Sequence, residues 1–537
     1  MHTKLSELRR YLVEINTYAT GQLFTDCLVI GTGIAGLRAA IEAGEKCNVT
    51  IVCKGTMQDS NTWNAQGGIA SVLGKADSFQ SHIDDTLKAG CYLNKLDAVE
   101  LVIKTGPKLV KQLEEWGTEF DKVHGDIDIS LEGGHSHARI AHALGDSTGK
   151  GIAEAMIKKL RQNHNINAIE NFFCIDLITD EENHCLGVIG LNKNNNPQII
   201  WAKQTILATG GAGQLYRETT NPKVATADGL AMAYRAGAVL SDLEFMQFHP
   251  TTLYIAGASR ALITETLRGE GAILLDCNNY AFMADYHESA ELAPRDIVSR
   301  AILAQMLKTN STHVYLDVRH FDKVHFSKRF PLISELCESF DIDVSKDLIP
   351  VRPSAHYMVG GVKTDLNAKT NIKNLYACGE VAATGLHGAN RLGSNSLLEG
   401  LVFGQIAGKG AAEKAAKTSG NMKPYMLNCK VPTSDRSRLD TADVRNSLRA
   451  LMWRNVGIIR RDKHLVEAEE IISFWQRYVM DKEFDAPEGW QCQNMLTVSM
   501  MVAHAAHQRK ESRGVHFRQD FPETDDKNFK NHIDIQR

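Results

Sequence analysis

The sequence of 537 residues contains no run of 18 or more apolar residues, so no segment predicts a helix that crosses a membrane. Its formal net charge of -4 provides no basic excess, which argues against nucleic acid as a partner. The 11 cysteines are irregularly spaced and include no C-x-x-C pair, so neither a disulfide framework nor a zinc site is indicated. These absences favour a reducing compartment, and we expect a cytoplasmic location.

The first 20 residues lack the continuous apolar core of a secretory signal. Leu5, Leu8, Leu12 and Ile15 recur at helical spacing, which predicts an amphipathic helix. Packing of this helix on the body of the protein is favoured over a role as a membrane anchor.

A glycine-rich loop follows the first long apolar run. Residues 28–30 predict a buried strand, and residues 37–43 predict the helix after it. Between them, Gly31, Gly33 and Gly36 form G-x-G-x-x-G, which permits a tight turn, close approach to a diphosphate and close helix–strand packing. The pattern indicates dinucleotide binding at a helix N-terminus, with a glycine turn in another α/β protein as the alternative.

The second strand, predicted at residues 49–53, is followed by Lys54 and not by an acidic residue. An acid near this place binds ribose hydroxyls in a common type of NAD site. Its absence argues against NAD, whereas a lysine suits a phosphate or an adenosine edge.

Several polar loops would suit a flavin. Residues 60–68 are polar and end in two glycines, which predicts either a loop that lines a flavin or a surface turn. Residues 205–211 repeat the pattern of a buried strand that runs into glycines. Glu380 also follows a strand and a glycine, where an acid can hold ribityl hydroxyls. Residues 131–137 are denser in polar groups than a simple loop requires.

Seven motifs occur in one order, and together they resemble the succinate dehydrogenase/fumarate reductase flavoprotein family. They are the glycine loop and residues 65–68 (AQGG), 132–136 (EGGHS), 208–211 (ATGG), 249–251 (HPT), 293–296 (APRD) and 387–399 (HGANRLGSNSLLE). The resemblance covers nearly the whole chain, including residues 511–514 (ESRG), and implies FAD as the cofactor.

The resemblance and the length together predict an α/β fold of about three domains. A Rossmann-like FAD-binding domain would be discontinuous, at residues 1–244 and 352–425. An α+β capping domain would be inserted at residues 245–351. Residues 426–537 are predicted to form a C-terminal helical domain, with Trp453, Trp475 and Trp490 in its core.

Two positions distinguish members of this family. Asn61 stands where membrane succinate dehydrogenases carry the histidine that binds the flavin covalently. Because an amide is not a nucleophile at the flavin methyl group, we expect non-covalent FAD. Glu132 matches the members that oxidise L-aspartate, since a carboxylate recognises the ammonium group that a plain dicarboxylate lacks.

The resemblance therefore implies hydride transfer from Cα of L-aspartate to flavin N5, which gives iminoaspartate. Electrons would pass to O2, yielding H2O2, or to fumarate. The reaction would begin NAD biosynthesis through quinolinate, with a quinolinate synthase as the functional partner. A soluble fumarate reductase or succinate dehydrogenase-type flavoprotein and a non-catalytic FAD-binding module are the alternatives.

A substrate with two carboxylates needs hydrogen-bonded positive charge in a water-poor pocket, which arginine forks supply. The family implies Arg295 as the acid/base group. The predicted catalytic residues are Arg295, Glu132, His249, His356 and Arg391, and the predicted substrate-binding residues are Gln247, Thr264 and Glu265.

The predicted FAD contacts combine backbone loops with a few charged side chains. Ser396 opens a helix whose N-terminal dipole can stabilise negative charge on the reduced flavin. Asp228 has an ordinary helix cap as its alternative role. The full set is Gly31, Thr32, Gly33, Ile34, Ala35, Gly36, Lys54, Asn61, Thr62, Trp63, Asn64, Ala65, Gln66, Gly67, Gly68, Asp228, Glu380, Ser396 and Leu397.

Overall fold

The structure, a computed structural model, describes residues 8–255, 260–418, 422–431 and 439–537. Within these ranges helices alternate with strands before residue 418, and helices dominate after residue 439. The α-helices are Ile34–Gly44, Phe79–Ala89, Leu96–Glu115, Thr148–Arg161, Asp228–Arg235, Thr266–Gly269, Arg295–Lys308, Lys323–Arg329, Pro331–Glu338, Asn395–Lys417, Thr441–Asn455, Asp462–Val479, Pro487–Gln508 and Asp526–Phe529.

A seven-stranded sheet forms the centre of the molecule. Its long strand Pro197–Leu207 pairs in parallel with Gly21–Ile30, and the end of that long strand also pairs in parallel with Leu375–Ala377. Parallel strands need covered faces, and helices supply the cover here. In spatial order the six strands of the main path are Phe173–Thr179, Cys185–Leu191, Pro197–Leu207, Gly21–Ile30, Val49–Val52 and Ile166–Ile169.

The helix Ile34–Gly44 packs closely against the long helix Asn395–Lys417 because glycines of the long helix form the contact. A Cβ atom on Gly404 would lie 2.6 Å from the Ala35 carbonyl oxygen, and one on Gly408 would lie 2.4 Å from that of Ala39. Such close packing brings the N-terminal ends of both helices to the same edge of the sheet, where residues 31–36 and 394–397 lie.

A second, four-stranded sheet carries several predicted site residues. Its antiparallel strands lie in the order Met246–Leu253, Ile349–Met358, Val314–Asp317 and Ile273–Leu275. A separate apolar core from Leu253 to Val351 lies between this sheet and its helices. The predicted domain boundary at residues 351 and 352 falls inside the strand Ile349–Met358, which places His356 on the second sheet.

The remaining strands are short and connect distant parts of the chain. A four-stranded sheet joins the C-terminal strand to the body of the protein. These strands are Ala382–Ala383, Gly361–Lys363, Leu240–Ser241 and Asp534–Ile535 in one sheet, Ile69–Ala70, Ile140–Ala141 and Ile129–Ser130 in another, and the pairs Ile15–Asn16 with Asn428–Cys429 and Lys122–Val123 with Asp126–Ile127.

The C-terminal helices pack against the central sheet. Trp490 is buried and stacks on Phe173 of the sheet, with ring centroids 6.0 Å apart. Trp453 and Trp475 are partly buried against the same core. Among the helices of the described part of the chain, none combines the length and apolarity that a membrane crossing requires.

The amphipathic helix predicted for the first 20 residues is wrong for residues 8–20, and Leu5 lies outside the described residues. Leu8, Leu12 and Ile15 are buried, but the chain there is irregular and then forms the strand Ile15–Asn16. The backbone N–H of Leu12 donates to the buried Asp176 carboxylate at 2.7 Å. Tertiary contacts of this kind outweigh the helical periodicity of a short segment.

Candidate functional site

The turn at Gly31 is the conformational feature that opens the site. Gly31 has a φ of +114°, and a Cβ atom there would lie 2.1 Å from the Ala208 carbonyl oxygen. Gly36 faces Gly31 so closely that a Cβ atom would lie 1.9 Å from the Gly31 oxygen. Only glycine fits either position, so the helix Ile34–Gly44 begins directly beside the end of the strand Gly21–Ile30.

The N-terminus of that helix has no side-chain cap from Gly33. The Ile34 N–H instead donates to the Thr62 hydroxyl oxygen at 2.9 Å. N–H groups of the first turn, which have no intrahelical acceptor, and the helix dipole together favour an anionic ligand at this place.

A cavity of about 240 Å³ extends from this helix end to the predicted substrate residues. It brings together residues from more than ten separate segments, and most of the predicted set lines it. The lining includes Gly31, Thr32, Gly33, Ile34, Ala35, Lys54, Asn61, Thr62, Asn64, Ala65, Gln66, Gly67, Gly68, Glu132, Asp228, His249, Thr264, Glu265, Arg295, His356, Glu380, Arg391, Ser396 and Leu397.

Three predicted residues do not line the cavity. Gly36 packs behind the turn, as its contact with Gly31 requires. Trp63 turns away and lies near Lys150, whose Nζ is 6.0 Å from the ring centroid. Gln247 lies behind the arginines, where its Oε1 accepts from Arg295 Nη1 and from Arg391 Nε, each at 3.1 Å.

Lys54 and Asp228 form an ion pair at one end of the cavity. Lys54 Nζ lies 2.8 Å from Asp228 Oδ2 and also donates to the Val224 carbonyl oxygen at 3.1 Å. Thr226 Oγ1 donates to the same Asp228 oxygen at 2.7 Å. These contacts fix the orientation of the Lys54 side chain. The sequence alone predicted no partner for Lys54.

Glu380 also lines the cavity. Asn61 Nδ2 donates to its Oε2 at 2.9 Å, and the Met358 N–H donates to its Oε1 at the same distance. Burial raises the pKa of this carboxyl group, and the two hydrogen bonds only partly offset that effect.

At the opposite end, Glu265 lies between two buried arginines. Its Oε2 accepts from Arg295 Nε at 2.7 Å, and its Oε1 accepts from Arg268 Nη2 at 2.7 Å. Burial acts to raise the pKa of Glu265, but the charges of Arg295 and Arg268 outweigh it and lower that pKa to about 2. Glu265 therefore stays ionised and fixes the plane of the Arg295 guanidinium.

The guanidinium group of Arg391 makes hydrogen bonds along its edge and contacts an aromatic ring with its face. Gln247 accepts from its Nε, Ser396 Oγ accepts from its Nη1, and the Tyr357 ring lies 4.4 Å from its central carbon. Burial, and then the charge of Arg295, lowers the pKa of Arg391 to about 10, so it remains cationic at neutral pH. Tyr357 in turn donates to the buried Glu399 at 2.9 Å.

His249 and His356 lie side by side, with ring centroids 5.1 Å apart. Burial holds the pKa of each well below its usual value, and the neighbouring arginines lower it further. Both imidazoles are therefore neutral at pH 7, so they contribute hydrogen bonds while the arginines contribute the positive charge.

Glu132 is 2% exposed and lines the same cavity as Arg295 and Arg391. Its Oε1 accepts from Thr266 Oγ1 at 3.0 Å, and its Oε2 accepts from Ser394 Oγ at 2.9 Å. Burial, and then the charge of Glu265, raises the pKa of Glu132. A cation placed here would offset both effects, because a carboxylate in a dry site is stabilised by opposite charge.

The residues present fit FAD. Gly31 and Gly33 form a cradle without side chains, and a helix N-terminus faces it. Among the described residues, Gln66 Oε1 and Thr209 Oγ1 are cavity-lining atoms that are buried without a hydrogen-bond partner. Buried polar atoms of this kind need a partner, which a polar cofactor supplies.

Several cavity residues carry no sequence motif that predicts them. Tyr357 follows His356 directly, yet its contact with Arg391 is visible only in the folded chain. Thr220 and Asn221 have no motif of their own, although Thr220 Oγ1 lies 2.9 Å from His356 Nδ1. The apolar wall includes Leu262 and residues 172–174, which have the pattern of ordinary core.

Comparison with known proteins gives matches over nearly the whole chain. Residues 26–397 match the FAD binding domain model, and residues 445–536 match the model of the fumarate reductase flavoprotein C-terminus. An L-aspartate oxidase of Streptomyces coelicolor is 39% identical over 533 residues, which cover 95% of this chain and 91% of that relative. One of Acinetobacter baylyi is 40% identical over 522 residues, with 93% and 94% covered.

Solved structures agree with the sequence matches. A quinol-fumarate reductase with menaquinol molecules superposes with a TM-score of 0.90 at 34% identity and covers 96% of both chains. The predicted fold class, an FAD-binding α/β flavoprotein with a C-terminal helical domain, is confirmed.

Proposed function

Since the chain belongs to the L-aspartate oxidases of the succinate dehydrogenase/fumarate reductase flavoprotein family, we propose that it oxidises L-aspartate to iminoaspartate. The observation that carries the proposal is the position of Glu132. This buried acid lines the same cavity as Arg295 and Arg391. Glu265 is already paired with Arg268 and Arg295, so Glu132 is the carboxylate left to bind an ammonium group beside two arginines that suit two carboxylates.

Arg391 and Arg295 bind the substrate carboxylates in this proposal. Each is restrained by partners that leave part of its fork available: Gln247 and Ser396 hold Arg391, and Gln247 and Glu265 hold Arg295. The neutral imidazoles of His249 and His356 add hydrogen bonds without adding charge. Restrained forks lose little further entropy when a carboxylate binds.

Glu132 orients the substrate through its ammonium group. Thr266 and Ser394 each occupy one lone pair on one of its oxygens, so both oxygens keep a further site for an N–H donor. The carboxylate is fixed before substrate arrives. Its raised pKa also makes Glu132 an acceptor for the proton that the ammonium group must release.

FAD, when bound, supplies the redox chemistry by accepting a hydride from Cα of the substrate. The chain would hold it through the helix N-terminus at Gly33, the Lys54–Asp228 pair and Glu380. We propose non-covalent binding because Asn61 is an amide that donates to Glu380 and offers no nucleophile. Acid precipitation should leave FAD in the supernatant, and yellow colour in the pellet would contradict this assignment.

The physiological setting follows from the same assignment. Electrons would pass to O2, giving H2O2, or to fumarate. The product would enter NAD biosynthesis through quinolinate, which makes a quinolinate synthase the functional partner and the cytoplasm the expected location.

A soluble fumarate reductase or succinate dehydrogenase-type activity is the second candidate, because the arginines suit any four-carbon dicarboxylate. The purified yellow protein should be assayed for H2O2 with L-aspartate, D-aspartate and succinate, and for fumarate reduction with a reduced dye. We expect H2O2 from L-aspartate only. Fumarate reduction without any aspartate oxidation would favour the second candidate and overturn the first.

A further inference from the structure

A chain of hydrogen-bonded polar side chains, partly buried at Lys54 and Asp228 and fully buried beyond them, extends from the cavity to the C-terminal helices. Lys54 pairs with Asp228 Oδ2 at 2.8 Å. Asn494 Nδ2, from the helix Pro487–Gln508, donates to Asp228 Oδ1 at 2.7 Å. Arg235 Nη1 donates to Asn494 Oδ1 at 2.7 Å, and Arg235 Nε donates to Asp176 Oδ1 at 2.6 Å.

The orientation of the Asn494 amide is fixed by chemistry. Its oxygen faces Arg235, which can only donate, and its nitrogen faces the Asp228 carboxylate, which can only accept. An inverted amide would place two donors together and two acceptors together. Asn494 therefore acts as a polar link between an anion and a cation, and it satisfies both.

The links differ in their relation to the cavity. Lys54 and Asp228 line it, whereas Asn494, Arg235 and Asp176 are buried behind it. Asp228 Oδ2 is shared by Lys54 and Thr226, so Asn494 is the partner of the other oxygen. Lys54 and Arg235 are both cations near the Asp228 carboxylate. Without Asn494, the carboxylate could therefore turn toward Arg235 and away from Lys54.

We propose that Asn494 is a positioning residue for the cofactor site, and that FAD binding and docking of the C-terminal helices are thermodynamically coupled through the Asn494–Asp228 hydrogen bond. The inference rests on the proposed assignment of Lys54 and Asp228 to the cofactor. Coupling is reciprocal: if docking of the helix favours FAD, then FAD favours docking of the helix by the same factor.

The first test measures the FAD dissociation constant of the apoprotein by flavin fluorescence. Asn494→Asp keeps the acceptor for Arg235 and replaces the donor to Asp228 with an anion, so it isolates one link. We expect at least a tenfold weaker affinity for FAD. Asn494→Leu, which removes both links, should weaken it by at least as much.

Gln493→Leu is the matched control. Gln493 is equally buried on the same helix, but its Nε2 donates to the Val479 and Lys482 carbonyl oxygens and not toward the cavity. We expect its FAD affinity to stay within threefold of the parent even where its melting temperature falls. A loss equal to that of Asn494→Asp would show a general effect of helix packing and overturn the proposal.

The second test uses hydrogen exchange, which reports on the helix and not on turnover. In the parent, FAD should slow amide exchange within Pro487–Gln508, and in Asn494→Asp this FAD-dependent protection should disappear. FAD affinities within threefold of the parent for both Asn494 variants would overturn the coupling. A Lys54→Met variant that binds FAD as tightly as the parent would instead overturn the cofactor assignment on which the coupling rests.

Discussion

The proposed cofactor end of the cavity is lined mainly by the loops at residues 31–35, 60–62 and 64–68, whereas the proposed substrate end is lined by buried charged side chains. At the proposed cofactor end, recognition would depend on glycines without Cβ atoms and on a helix N-terminus, with Lys54, Asp228 and Glu380 as the charged side chains. At the proposed substrate end, it would depend on a balance between arginines and carboxylates. The two ends should therefore fail in different ways when residues are replaced.

The difference also explains how each end is stabilised. The glycine turn at Gly31 is held by local backbone geometry and by one neighbouring strand. A side chain added there would therefore destabilise the turn mainly by steric overlap. The Arg268–Glu265–Arg295 group is held by ion pairs in a dry environment, where removal of one partner leaves an uncompensated charge.

Arg391→Leu should separate the two ends most sharply. It leaves a substrate carboxylate unpaired in a desolvated pocket, a loss on the order of 3–5 kcal/mol in transition-state binding. We expect kcat/KM for aspartate to fall by a few hundred- to a few thousandfold, while FAD content stays at that of the parent.

The control for Arg391→Leu is Arg391→Lys, which keeps the charge and loses the fork. Its kcat/KM for aspartate should lie between that of the parent and that of Arg391→Leu. Aspartate turnover within a few-fold of the parent in Arg391→Leu would mean that this arginine does not bind substrate.

Glu265→Gln should lower the free energy of unfolding by an amount that depends on pH. The folded-state pKa of about 2 lies below the ordinary value of 4.5, so the carboxylate stabilises the fold above pH 4.5 and loses that effect as the pH falls toward 2. The difference in unfolding free energy between parent and variant should be about 3 kcal/mol at pH 7. It should shrink below pH 4.5 in urea titrations, and a difference independent of pH would contradict the ion-pair account.

Glu132→Gln should lower the activity toward aspartate more than the activity toward fumarate. It keeps the shape and removes the charge-assisted partner of the ammonium group, about 1.5–3 kcal/mol. Hence kcat/KM for aspartate should fall by roughly ten- to a hundredfold, whereas fumarate reduction and succinate binding should hold or improve. An equal fall in both activities would show that Glu132 only supports the fold.

Gly31→Ala should damage the cofactor end alone. The φ of +114° and the contact of 2.1 Å with the Ala208 oxygen together impose strain, with the backbone part costing about 1–3 kcal/mol. We expect loss of FAD on gel filtration, with the apoprotein still folded by circular dichroism. Gly117→Ala is the control, because Gly117 has a φ of +102° and no atom within 4 Å of its added Cβ. Equal FAD loss in both would remove the steric argument.

The two ends also differ in how far the sequence predicts them. The glycine loop is local, since six consecutive residues determine both the turn and the helix start. The order of the motifs predicted the fold class, which the comparisons confirm. The prediction of an amphipathic helix near Leu8 and Leu12 was wrong. It rested on only four apolar residues at helical spacing, and tertiary contacts such as that between Leu12 and Asp176 determine the local conformation instead.

The sequence by itself therefore determined the class of cofactor, the fold and the types of residue that could bind a dicarboxylic amino acid. Only the tertiary structure decided which of them meet. Glu132 accepts from Ser394 across 262 residues of chain, Asn61 donates to Glu380 across 319, and Asn494 donates to Asp228 across 266. Such pairs depend on the direction of each side chain after distant segments pack, and neither residue type nor local spacing carries that information.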